Sequence, residues 1–165
     1  MPSPQLSYRP LMSEVLSMVA PAHGVVLPRR VGLATLARYP MVLPSAPNAI
    51  RGLVDAVLRP RRIALQIVAE VGTVQTVLSL VAQGIGCTIL AEGAPALAAP
   101  GLQLQQARIG PPAIRTHLVL AVPRAGPATR LLRETIALLE DTDFASLGRA
   151  PGNPARAPTV GGLAG

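Results

Sequence analysis

The sequence predicts an α/β domain, and three observations carry that prediction. Short apolar strands alternate with helical stretches between residues 40 and 90, and the helical stretches open on polar capping residues. Half of the 165 residues are hydrophobic, enough to bury a sizeable core. Strands alternating with helices imply a parallel sheet with helices on its faces, joined by right-handed crossovers.

Taken in order, the first ten residues bear proline and serine without a pattern and read as a loop or an arbitrary start. Residues 14–19 form a strand ended by Pro21 and Gly24. Residues 29–38 hold one short helical turn carrying Leu33 and Leu36, closed by Tyr39-Pro40 because the residue before proline avoids the helical region. A buried strand follows at 41–43. Asn48 caps the next helix, in which Ile50, Leu53, Val54, Val57 and Leu58 share a face until Pro60 stops it. Ile63, Leu65, Ile67 and Ala69 alternate with Ala64, Gln66, Val68 and Glu70. So many apolar residues on both faces predict a strand covered on two sides. Thr73 caps a second helix with a stripe of Val74, Val77, Leu78 and Val81, and Gly84 supplies its left-handed end. Residues 87–90 form the third strand. The stretch 91–112 is loop-rich with an edge strand at 102–104, residues 117–122 are a strand, and Pro127 starts a helix on which Leu131, Leu132, Thr135, Ile136 and Leu139 recur. From Ser146 glycine, proline, alanine and arginine dominate, and residues 146–165 read as a flexible tail.

All fifteen basic residues are arginine, and the net charge of +7 is scattered along the chain. Arginine enrichment for phosphate binding would cluster, and one Phe with no Trp gives no platform for stacking bases, so direct nucleic-acid binding is not expected. Cys87 is the single cysteine, which fits a reducing compartment. No signal peptide is visible at the start, and Gly84, Gly86, Glu92, Gly93 and Pro95 interrupt the most apolar stretch, so a cytoplasmic protein without a membrane span is expected.

Ligands of open α/β sheets sit beyond the carboxyl ends of the strands. Here those ends are residues 44–48 and 72–75, and each runs into a helix N-terminus that attracts a carboxylate or similar anion. Taken singly, Asn48 and Thr73 read as caps and Ser45 as a turn residue. Arg51, one turn into the first helix, reads either as an anion-pairing fork or as a solvated surface arginine. Glu70 faces the same region or lies at the sheet edge. Gly84-Ile85-Gly86 leaves a helix and enters a strand, the reverse of a phosphate-binding turn. Cys87 opens an apolar strand with no histidine beside it and reads as a buried small hydrophobe. His23 and His117 have no partners at metal-ligand spacing. With no general acid/base pair, nucleophile elbow or P-loop in the sequence, neither an enzyme nor a cofactor is expected.

The run Glu70-Val-Gly-Thr-Val-Gln-Thr-Val-Leu-Ser-Leu-Val-Ala-Gln-Gly-Ile-Gly-Cys-Thr-Ile-Leu90 resembles the effector-binding domain of LysR-type transcriptional regulators, and Pro40-Met-Val-Leu-Pro-Ser45 resembles the strand and loop that open its second subdomain. The resemblance covers residues 11–139, densest between 40 and 90. It implies a periplasmic-binding-protein-like (type 2) bilobal α/β fold and a small effector in the cleft between subdomains, faced by Ser45, Asn48, Thr73 and Val74; with the two helix N-termini and Arg51 added, the effector expected there is anionic. It also implies homo-oligomers that reach DNA only through an N-terminal helix-turn-helix, for which residues 1–40 offer no place. The expected division is residues 40–112 as a complete second subdomain, with 11–39 and 113–143 as the remnant of the first. On that reading the chain is the C-terminal part of a regulator, truncated or begun at an internal methionine, with Val119, Leu131, Ile136 and Leu139 left uncovered. A solute-binding receptor of the same bilobal fold and a non-functional orphan fragment are the alternatives.

Overall fold

The computed structural model describes residues 3–125 and 129–147. Its longest element is β1 (Leu6–Pro21), whose two halves keep different company. The first half pairs antiparallel with β7 (Arg115–Pro123), from Leu6 opposite Pro123 to Val15 opposite Arg115, with an irregularity between Pro10 and Met12. The second half lies between β5 (Thr88–Ala91) and β6 (Leu104–Ile109), both antiparallel to it. A loop over the first ten residues is therefore corrected to a strand from Leu6. Its partner lies more than a hundred residues away, so no local pattern announces it. The edge strand expected at 102–104 likewise moves to β6, where β1 supplies the ladder.

On the far side of β5, β3 (Pro40–Pro44) and β4 (Gln66–Val71) pair in parallel. Met41 bridges to Cys87 in parallel, with the Val42 N–H donating to the Cys87 carbonyl at 2.8 Å and the Cys87 N–H to the Pro40 carbonyl at 2.7 Å. The strands thus run β4–β3–β5–β1–β6–β2, where β2 (Arg30–Val31) pairs parallel with β6. Only part of this row is parallel, because β1 opposes both its neighbours. β4 begins at Gln66, and Ile67 and Val68 are 40% and 54% exposed, which corrects the expectation of a strand covered on both faces. With β3 as its one neighbour among the described residues it is an edge strand, and Ala69 and Val71 are the residues that pack inward.

Two cores lie on opposite faces of this sheet, and the period of two along the strands sorts residues between them. Met18, Met41, Leu43 and Ile89 join Val54 and Leu58 of α2 (Ala49–Leu58) and Leu33 and Leu36 of α1 (Leu33–Leu36). Their strand neighbours Val19, Val42 and Leu90 pack with Val77, Leu78 and Val81 of α3 (Val74–Ala82). Gly84 ends α3 at φ +81°, where a side chain would be strained. At Gly86 an added Cβ would come within 2.6 Å of the Pro40 carbonyl oxygen, so glycine lets β5 approach β3. Leu16, Met18, Ala20, Val31, Leu33 and Leu36 all contribute to the first of these cores.

α4 (Arg130–Asp141) is capped by Thr129, whose hydroxyl accepts from the Leu132 N–H at 3.2 Å, and tied to β1 by an Arg9–Glu140 ion pair at 2.7 Å. Leu131 and Leu138 of α4 are 73% and 69% exposed while Ile136 and Leu139 are half-buried, and on β7 Leu118 and Val119 are 41% and 45% exposed. Pro127 and residues 148–165 of the expected tail lie outside the described residues, and α5 (Phe144–Leu147) covers its first two positions.

Candidate functional site

Parallel pairing of β3 with β4 places their carboxyl ends side by side. Pro44 lies opposite Val71, and the Ser45 N–H donates to the Val71 carbonyl at 3.0 Å. Both strands then turn into helices. Asn48 accepts from the Ile50 and Arg51 N–H groups at 2.9 and 3.2 Å, and Thr73 accepts from the Thr76 N–H at 3.2 Å and meets the Thr76 hydroxyl at 2.8 Å. Two helix N-termini therefore stand next to each other on one edge of the sheet, with the caps where the sequence puts them. The first-turn N–H groups of Val74 and Gln75 have no intrahelical acceptor and point their dipole end outward. Ser45, Asn48 and Val74 are half-buried and Thr73 is exposed.

Arg51 joins the two loops in a different way from a free anion receptor. Its guanidinium lies 3.3 Å from Asp55 on its own helix and 2.5 Å from Glu70 at the end of β4. The hydrogen bond that Arg51 donates to the Glu70 carboxylate raises the Arg51 pKa above its ordinary value, against the opposing effect of partial burial. Two carboxylates thus surround one guanidinium, and the group that holds α2 against β4 is already neutralised.

A second feature escaped the sequence. A cavity of about 790 Å³ opens where β1 passes between its two sets of partners. It is lined by Met12 to Val15 of β1, Arg115 of β7, Arg108 and Ile109 of β6, Arg30 of β2, and Glu92 with Gly93 after β5. Glu14 accepts from the Gly93 N–H at 3.1 Å, and Glu92 pairs with Arg108 at 3.0 Å. None of Ser45, Asn48, Arg51, Thr73 and Val74 lines it. Residues from four separated segments build it, 12–15, 30, 92–93 and 108–115, so no motif could have shown it.

Cys87 is buried at 2% exposure, and loss of solvation pushes its thiol up to about 11, which keeps it protonated at neutral pH. Among the described residues no group of three or more His, Cys, Asp or Glu is placed to hold a metal, and no helix is long and apolar enough to cross a membrane. Helices α1 to α4 are separated from one another by strands, and α5, which follows α4 after Thr142 and Asp143, is a single four-residue turn.

This architecture, two lobes joined through a strand that serves both, is matched by known proteins. The family model for the LysR substrate binding domain matches residues 2–143, and the chain belongs to that family. It is 35% identical over 132 residues to the HTH-type transcriptional regulator IlvR of Caulobacter vibrioides, covering 78% of this chain and 44% of that protein. The chain therefore spans less than half the length of that relative. Among solved structures, the C-terminal domain of a probable LysR family regulator from Rhodococcus sp. RHA1 superposes with a TM-score of 0.68 at 28% identity, over 83% of this chain and 68% of that one. The CcmR regulatory domain of Synechocystis PCC6803, in complex with 2-PG, gives 0.72 at 14% identity, over 85% and 69%. The effector binding domain of QuiR, in complex with shikimate, gives 0.71 at 17%, over 82% and 64%. The fold is the type 2 periplasmic-binding-protein-like fold of LysR substrate-binding domains.

Proposed function

We propose that this chain is the effector-sensing part of a LysR-type transcriptional regulator, taking a small anionic metabolite in the cleft between its lobes. One observation carries the reading: two capped helix N-termini, of α2 and α3, stand side by side at the carboxyl ends of adjacent parallel strands. In this proposal Ser45, Asn48, Thr73 and Val74 contact the effector. Arg51 holds the two loops in register through Glu70. CcmR and QuiR, solved with 2-PG and shikimate, lend support as small-molecule complexes in the same fold.

The lobes meet through β1 and the return segment at 110–114, where the Leu16 N–H donates to the Ile114 carbonyl at 2.8 Å. Closure about these two crossings would be favoured by an effector that touches both lobes, and a ligand shifts such an equilibrium only by its preference for one state. In a full-length oligomer that shift changes how helix-turn-helix domains elsewhere in the protein sit on DNA. The role is that of a cytoplasmic binding module and not of a catalyst. For the division of the chain we propose residues 16–109 as the second lobe, with 6–15 and 115–141 in the first.

The test is a thermal-shift screen of small organic acids on a full-length protein carrying this domain, followed by calorimetry of the strongest ligand. Thr73→Val is expected to weaken binding by about tenfold, the equivalent of one hydrogen bond. Unchanged affinity in a folded Ser45→Ala/Thr73→Val double variant would overturn the site.

A further inference from the structure

We propose a second anion site in the cavity at the lobe junction, beyond the effector loops, that takes a small organic dianion such as a dicarboxylate between Arg30 and Arg115. The charges of the cavity are unevenly paired. Both carboxylates that line it are engaged, Glu14 by the Gly93 N–H at 3.1 Å and Glu92 by Arg108 at 3.0 Å. Arg30 and Arg115 have no ion-pair or side-chain hydrogen-bond partner among the described residues. Strand register adds to the imbalance, because Arg30 lies opposite Arg108 in the β2–β6 pair and like charges on facing positions repel. A neighbouring cavity of about 500 Å³ shares Arg30, Glu92 and Arg108 and adds Arg29, so along the joined groove four arginines face two glutamates, an excess of two positive charges.

The volume of about 790 Å³ lies within the range of small-molecule sites, and guanidinium forks match carboxylate geometry. Arg30 belongs to the second lobe and Arg115 to the first strand of the return into the other, so a dianion spanning them would bridge the junction. Its occupancy would bias the lobe angle independently of Ser45 and Thr73.

The experiment titrates the 165-residue chain with succinate and, separately, inorganic phosphate at physiological salt, following arginine side-chain N–H resonances by NMR. Saturable shifts of Arg30 and Arg115 with succinate are expected, and Arg30→Gln/Arg115→Gln is expected to weaken binding by at least about tenfold. Arg51→Gln removes an equal charge outside the cavity and Ser45→Ala/Thr73→Val removes the effector contacts; both should leave succinate binding unchanged, which separates this site from the proposed effector loops. Arg30→Lys and Arg115→Lys keep the charge and lose the fork, and should bind less weakly than the glutamine variants, giving a second measure if those fail to fold. Phosphate binding at the same arginines shows that the site accepts oxyanions in general. No saturable binding of either probe, or equal loss in Arg51→Gln and in the cavity variants, overturns the proposal.

Discussion

The two halves of β1 are one strand in two environments. From Leu16 to Ala20 every residue is at most 1% exposed, with neighbours on both edges and a helix-covered core on each face. From Leu6 to Val15 the same strand pairs with β7 on one edge, none of its residues is fully buried, and β7 and α4 carry exposed Leu118, Val119, Leu131 and Leu138. The backbone is continuous, so the contrast arises from what packs against it. Stability in this chain should therefore be concentrated in the second lobe, while the first depends on apolar surface that no described residue covers.

The strongest way to break this comparison is to cut into each half and find equal costs. Met18→Ala removes a fully buried side chain between β5 and β6 and is expected to cost about 2–5 kcal/mol of unfolding free energy in a denaturant titration. Met12→Ala, six residues earlier on a partly exposed stretch, should cost less than half as much. Similar values for the two would mean that the first lobe is as tightly packed as the second.

Gly86→Ala sharpens the account of the second lobe. The added methyl would sit within 2.6 Å of a backbone oxygen in β3, which cannot move aside as a side chain can. A loss of about 1–3 kcal/mol is expected, the usual cost of overpacking. Gly72→Ala, with open space around its Cβ and no positive φ, is the matched control and should fall within about 0.5 kcal/mol of the parent.

The same contrast explains what could be read from the sequence. Asn48 and Thr73 were legible because a cap is a local event: one side chain accepts the N–H groups two or three residues ahead. The faces of α2 and α3 were legible for the same reason, as was the turn at Gly84. Non-local features were not. β1 begins at Leu6 because β7 is there to pair with it, and β4 is an edge strand because no described strand lies beyond it. Apolar residues on both faces of β4 looked like burial, yet Ile67 and Val68 are exposed. Arg51 looked available from its place on α2, and only the fold brings Glu70 up to it across the end of β4. At the lobe junction, Arg30, Glu92, Arg108 and Arg115 converge from loops and strands that share no spacing.

The smallest expected effect on stability lies on the exposed face of α4, and it separates folding from association. Leu131 and Leu138 are 73% and 69% exposed, so they have little burial to lose in the isolated chain. Leu131→Ser/Leu138→Ser should shift the unfolding free energy by no more than about 0.5 kcal/mol per site. Self-association should respond far more, because exposed apolar side chains on α4 favour contacts between copies. The parent chain is expected to bind a hydrophobic dye and to elute as oligomers, and the double variant to lose most of the dye signal and move toward monomer in sedimentation velocity. A monodisperse, dye-negative parent chain would show that this face is covered in solution, and the division of β1 into a closed half and an open half would then fail.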